Sequence, residues 1–318
     1  MKQMLKAIFT ALIVVAGVCM MMYPTVASWK AQWDQSHLIE QRIEDVEHGE
    51  PSKERQLRAA REYNAALNSG ALIQPDQRKS AGVGEVRDPE GQLWDYQDIL
   101  SATPDGFMGR IRIKNIDIDL PIYHTASDES LLKGAGHLQG TSLPVGGKGT
   151  RAVITAHRGL ASAKMFDNLD RVKPGDRIVL EIFGEVLTYE VYESRVIEPT
   201  DTDAIRAISN KDILTLITCT PLGVNTHRII VNAERVIPTP ASDMNAAGEA
   251  SDLPHFPWWI FVFIALGIVI VAWLFWNWRL MRRERRREHS NSGGAIGEGN
   301  AAGDGGAMGD GGAGSGVL

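Results

Sequence analysis

The chain has 318 residues, 44% hydrophobic and 23% charged, and its 33 Lys and Arg against 39 Asp and Glu leave a net charge of -6. That balance excludes a long disordered protein and a basic nucleic-acid binder. Its 2 cysteines exclude a disulfide scaffold and any multi-cysteine zinc or iron–sulfur site.

The first apolar run extends from Met4 to Met22 behind Lys2, carries no charge after Lys6, and is near the length needed to cross a bilayer. Residues 1–27 read either as an N-terminal membrane anchor or as a signal peptide cut after Thr25-Val26-Ala27. Both readings export the polypeptide beyond residue 27. Cys19 lies inside the run and reads as an inert, membrane-embedded thiol. Residues 28–69 form a juxtamembrane segment with apolar residues at helical intervals, Trp29, Trp33, Ile39, Ile43 and Val46, then Leu57 and Leu67. Gly49 and Pro51 interrupt it, which predicts two helices. Residues 70–105 are punctuated by Gly, Pro and Asp around Leu93-Trp94-Asp95-Tyr96, the pattern of a linker or a functional flap.

From 106 to 238 the pattern is β. Ile111–Lys114, Ile116–Leu120, Arg177–Ile182 and Leu187–Tyr192 alternate with period two, and Arg151–Thr155, Ile213–Thr218 and Arg228–Val231 read as short buried strands. Brief helices are expected near Ser127–Leu132 and Ala161–Leu169. Regular short strands of this kind predict a closed barrel or a sandwich. A linker, 239–256, leads into a transmembrane helix at 257–278, where the run Trp258 to Trp276 is almost purely apolar and has tryptophans at its ends. Arg279 and the cluster Arg282 to Arg287 come next, so the basic side faces the cytoplasm, as do Lys2 and Lys6. The middle of the chain then lies outside. The remainder of 279–318 is Gly, Ala, Ser and a few acids, which cannot bury a core.

Cys219 is the one cysteine of the exported part, so it lacks an intramolecular disulfide partner. It ends the strand Leu214-Thr215-Leu216-Ile217-Thr218-Cys219, a rigid place from which to present a nucleophile to a loop. A free thiol titrates near 8.5 and gains from a neighbouring base or cation. Among His124, His137, His157 and His227, His157 is the best base because it ends the buried strand 152–156 and opens into Arg158-Gly159. His124 and His137 suit structural roles. Arg228 comes nine positions after Cys219, across the loop Thr220 to Thr226. Two antiparallel strands joined by that loop bring Arg228 beside the thiol, where a guanidinium can hold developing oxyanion charge. Alternation turns His227 the other way. No histidine pair has metal-ligand spacing.

These residues carry a family resemblance. Thr215-Leu216-Ile217-Thr218-Cys219-Thr220-Pro221 with Asn225-Thr226-His227-Arg228 resembles the active-site signature of sortases, and Thr155-Ala156-His157-Arg158-Gly159 resembles their histidine motif. Leu120 to His124 and Gly136 to Gly147 are similar to stretches of class C, the pilin-polymerising sortases of Gram-positive bacteria. The resemblance spans about residues 100 to 238. It implies an all-β fold, an eight-stranded barrel with short helices, preceded by N-terminal helices and flanked by transmembrane helices. It also implies a cysteine transpeptidase that needs no cofactor or metal. Cys219 would be the nucleophile, His157 the acid and base, and Arg228 the oxyanion stabiliser. The implied partners are pilin subunits with C-terminal LPxTG-like sorting signals, together with the membrane.

One departure stands out. Class C lids carry Asp-Pro-aromatic, whereas here Asp88-Pro89 is followed by Glu90, with Trp94 four positions later. Asp88 and Trp94 are therefore the candidate lid residues, and a plain linker is the competing reading. Two other functions compete as well: attachment of surface proteins to cell-wall peptide stems, and a non-catalytic membrane-tethered β-domain.

Overall fold

A computed structural model of the chain describes residues 2–49, 51–69, 86–87, 91, 93–101 and 103–297. The alternating segments become strands β1 (Phe107–Ile113), β2 (Ile118–Tyr123), β3 (Ala135–His137), β4 (Thr150–Thr155), β5 (Arg177–Ile182), β6 (Glu185–Ile197), β7 (Asp212–Thr220) and β8 (His227–Arg235). They hydrogen-bond in the order β8-β6-β5-β1-β2-β3-β4-β7, and β7 returns to β8, which closes a barrel and excludes the sandwich. β2–β3 and β4–β7 are parallel, and the other pairs are antiparallel.

Period two explains the interior. Ile111 and Ile113 of β1, Ile178, Leu180 and Ile182 of β5, Leu214 and Leu216 of β7, and Val231 and Ala233 of β8 are buried in one cluster. Each large aliphatic side chain there contributes about 1.5–3 kcal/mol.

Several expectations shift. The segment Ile116–Leu120 is not one strand: Lys114–Ile116 make a 3-10 turn and Asp117 adopts φ +55°, so pairing begins at Ile118. A short polar side chain tolerates that left-handed geometry. β3 went unseen because three buried residues are too few to show alternation. The stretch Ala161–Leu169 forms turns rather than a helix, with a 3-10 turn only at Leu169–Arg171. Its backbone is occupied in closing a loop, since Phe166 N–H donates to the His157 carbonyl at 3.0 Å. Ser127 caps α3 (Asp128–Lys133), its hydroxyl accepting from Ser130 N–H at 3.2 Å.

Helix α1 runs from Lys2 to His48 without a break at 27, passing through Pro24, and α2 covers Lys53–Ser69. The interruption at Gly49 and Pro51 thus separates two helices. Leu57, Ala60, Tyr63 and Asn64 of α2 are buried, the spacing of one helix face. Asn64 clips α2 to the barrel by exchanging two bonds with the Leu143 backbone, at 2.9 and 2.7 Å. Residues 239–256, expected as a linker, include α4 (Ala241–Asn245) and lie bonded along the barrel wall. Helix α5 covers Trp259–Gly297, and both α1 and α5 contain a stretch long and apolar enough to cross a membrane. The chain forms two compact units, Met22–Pro257 with the barrel, and Met1–Met21 with Trp258–Leu318.

Candidate active site

The outer face of the β4–β7–β8 sheet collects the three residues singled out by chemistry. Leu214, Leu216 and Thr218 of β7 point into the barrel, so alternation turns Cys219 outward at the strand's end. In the antiparallel β7–β8 ladder Arg228 is the direct partner of Cys219, which sets their side chains on the same face. In the parallel β4–β7 ladder Thr155 pairs with Ile217. β4 ends at Thr155, two residues before His157, and beyond it Ala156 N–H still donates to the Ile217 carbonyl at 3.3 Å, so the loop holding His157 leaves the sheet beside the end of β7. Cys219 and Arg228 thus pair at adjoining strand ends, His157 follows the end of the neighbouring strand, and all three residues are partly exposed. Cys219 is a free thiol.

Arg228 bends back over its loop. Its Nη1 donates to the carbonyls of Asn225 and His227, both at 2.9 Å. Among the described residues its Nε and Nη2 donors have no partner. His227 pairs with Thr220 and faces away, as alternation requires, its Nε2 3.0 Å from Glu198 and its Nδ1 2.9 Å from the Thr226 hydroxyl. The His157 ring has no hydrogen-bonding or charged partner among the described residues, so no carboxylate orients it.

His124 and His137 are buried below this face of the fold. His137 is fully buried, and burial pushes its pKa down to about 4. The Tyr96 hydroxyl donates to Nδ1 of His137 at 2.8 Å, while Nε2 donates to the Ser142 carbonyl at 2.9 Å. His124 reaches the Ile99 carbonyl at 2.7 Å and the Gly106 carbonyl at 3.1 Å. Both rings therefore bind the segment that precedes β1. Of the candidate lid residues, Trp94 is 1% exposed, with the Arg55 guanidinium of α2 5.9 Å over its ring, and Asp88 lies outside the described residues.

Sequence reasoning assigned nothing to the loop behind His157. Arg158 Nη2 donates to Asp170 at 2.7 Å, and its Nη1 to the Thr220 hydroxyl at 3.3 Å. Asp167 accepts from Gly159 N–H at 2.6 Å, and burial raises its pKa against that bond. Gly159 has φ +82°, the left-handed geometry that favours glycine, while a Cβ there would meet only the movable tip of the exposed Leu222. The one signal available in the sequence was the position of Arg158 and Gly159 directly after His157. Among the described residues no cluster of three or more His, Cys, Asp or Glu side chains is arranged to hold a metal.

Residues 111–236 match the Sortase domain family. The sortase C1 structure from Streptococcus agalactiae is 35% identical, covers 64% of this chain and 100% of that one, and superposes with a TM-score of 0.55. A Streptococcus pneumoniae sortase C structure, described as informative on catalysis and pilin substrate specificity, is 35% identical. It covers 63% of this chain and 96% of that one, with a TM-score of 0.52. The chain belongs to the sortase family. Among full-length relatives, sortase A of Streptococcus agalactiae is 33% identical over 145 residues, which is 43% of this sortase and 58% of that protein. Both of these structural neighbours are class C enzymes, and the closed eight-stranded barrel of this sortase is the fold they share.

Proposed function

We propose that this sortase is a membrane-anchored cysteine transpeptidase. It cleaves an LPxTG-like sorting signal between Thr and Gly and joins the Thr carbonyl to a lysine amine of a pilin subunit, building a covalent fibre. The observation that supports the reading is the pairing of Cys219 with Arg228 across β7 and β8, with the His157 loop starting just beyond β4, the strand next to β7.

The Cys219 sulfur attacks the threonine carbonyl carbon, and charge develops on the carbonyl oxygen, which the open Nε and Nη2 donors of Arg228 stabilise. His157 takes the thiol proton as the sulfur attacks and gives it to the glycine nitrogen as the C–N bond breaks, leaving a thioester on Cys219. The incoming lysine amine then attacks that thioester, His157 takes the amine proton, and the sulfur leaves as the isopeptide bond forms. Helices α1 and α5, with their basic flanks, hold both ends of the chain on the cytoplasmic side and the barrel outside, beside the growing polymer.

The test incubates the detergent-solubilised full chain with an LPxTG-type peptide and reads intact mass. A thioacyl adduct is expected on Cys219, absent in Cys219→Ala, and released faster by a pilin-derived lysine peptide than by a cell-wall stem peptide. The reverse order of acceptors would replace pilus assembly with surface-protein attachment. No adduct with any sorting peptide would leave a non-catalytic β-domain.

A further inference from the structure

The backbone ladder that aligns β4 with β7 stops short of His157 and Cys219. Its last pair is Thr155 with Ile217. Two further bonds extend it, Ala156 N–H to the Ile217 carbonyl at 3.3 Å and the Thr218 hydroxyl to the Ala156 carbonyl at 2.8 Å. At His157 the chains part: its carbonyl accepts from Phe166 N–H, inside its own loop, while β7 continues to Thr220. Among the described residues no backbone bond fixes the distance between His157 and Cys219.

Arg158 crosses that gap. Its side chain is 8% exposed, although it belongs to a surface loop. Burying a guanidinium is costly unless its donors are used, and these are used in three directions. Nε donates to the Asp167 carbonyl at 3.1 Å, Nη2 to Asp170 at 2.7 Å and Nη1 to the Thr220 hydroxyl at 3.3 Å. The first two bonds stay within the histidine loop. The third leaves the loop and grips the residue next to the nucleophile.

We infer that Arg158 is a positioning residue for the transfer reaction. Its planar fork fastens the histidine loop to Thr220 and so fixes the separation of His157 and Cys219. A planar guanidinium suits this task because its three donors have fixed mutual angles, whereas a lysine ammonium has a single nitrogen on a flexible stem. The inference rests on the transpeptidase reading for its kinetic readout. Thr220→Val is the discriminating change, since it deletes only the acceptor outside the loop and leaves the contacts to Asp167 and Asp170 intact.

The experiment compares the detergent-solubilised full chain with Arg158→Lys, Arg158→Met, Thr220→Val and the Arg158→Met/Thr220→Val double variant, using an LPxTG-type peptide. Thr220→Val is expected to lower kcat about 3–10-fold with KM within about twofold, because a misplacement of less than an ångström slows chemistry without loosening binding. Arg158→Met should lose more, Arg158→Lys should not restore it, and the double variant should be no slower than Arg158→Met alone. Unchanged kcat in Thr220→Val, a loss confined to KM, or multiplying effects in the double variant would each overturn the inference. In parallel, iodoacetamide alkylation of Cys219 at fixed pH is monitored on the Cys219 peptide, with the same pattern expected across the series. That readout needs no sorting signal. A wild type that alkylates at Cys219 but transfers no peptide overturns the transpeptidase reading, and the alkylation series still decides the role of Arg158.

Discussion

Arg228 commits one nitrogen to its own loop and keeps the others open, and that division depends on the shape of the guanidinium. Nη1 satisfies the Asn225 and His227 carbonyls together, which holds the side chain over the strand end where Cys219 emerges. A lysine at this position can bond the loop or an oxyanion, but it has no planar second arm with which to do both. Arg228→Lys is therefore expected to lower kcat by about 100-fold or more, the scale of losing an oxyanion donor. Because the residue is partly exposed, the melting temperature should stay nearly unchanged. Steady-state kinetics with a thermal melt checks this, and a kcat within about threefold of wild type would remove Arg228 from the chemistry.

At the scale of an element, the two buried histidines explain how the segment before β1 is held. Tyr96 and the Ile99 carbonyl are fastened by His137 and His124, and Leu100 N–H donates to Gln56 of α2 at 2.7 Å. The described residues 93–101 are thus a bonded part of the barrel unit. Burial lowers the pKa of both rings, that of His137 to about 4. An unfolded histidine takes its proton near 6.5, so between that value and about 4 the unfolded state binds more protons. Stability is then complete at neutral pH and falls as the pH drops through this window. The contribution of His137 is on the order of 3 kcal/mol, equivalent to roughly 5–10 °C in a domain of this size. Melting curves at pH 7 and pH 4.5 should show that drop, and His137→Gln should reduce the pH dependence even where it lowers the melting temperature overall. An equal pH dependence in the variant would show that other groups carry it.

At the scale of the whole barrel unit, the polypeptide after β8 acts as a strap. Arg110 of β1 is 1% exposed and grips Asp119 of β2 through two bonds of 2.6 Å, while its Nη1 donates to the Glu249 carbonyl at 2.8 Å. Arg112 reaches Glu181 at 2.7 Å and the Ala246 carbonyl at 2.8 Å, and Glu181 accepts from Gly248 N–H at 3.0 Å. Removing one member of the buried pair leaves an uncompensated charge. Arg110→Met is expected to cost about 3–5 kcal/mol, and Arg110→Met with Asp119→Leu less than either single change. Thermal melts of the three variants measure it, and additive losses would mean the pair is not coupled. Hydrogen exchange in 246–251 should rise in Arg110→Met, because the strap loses its anchor.

Much of this was legible in the sequence because it is written in local pattern. Period two in Arg177–Ile182 and Leu187–Tyr192 marked strands, and the two apolar runs marked the helices long and apolar enough to cross a membrane. Cys219 and Arg228 could be paired because a short loop between antiparallel strands leaves little choice of register. What tertiary structure alone decided involves long-range partners. The start of the His157 loop is brought beside β7 by a parallel pairing of strands 62 residues apart, as in the Thr155 to Ile217 bond, and no local signal encodes which strand lies beside β4. The same holds for the three bonds of Arg158, for the clasp of Tyr96 by His137, and for the strap over Arg110. In each case the side chain is charged or polar, and no local pattern names its partner. Only the closure of the barrel shows that it is buried and where its hydrogen bonds go.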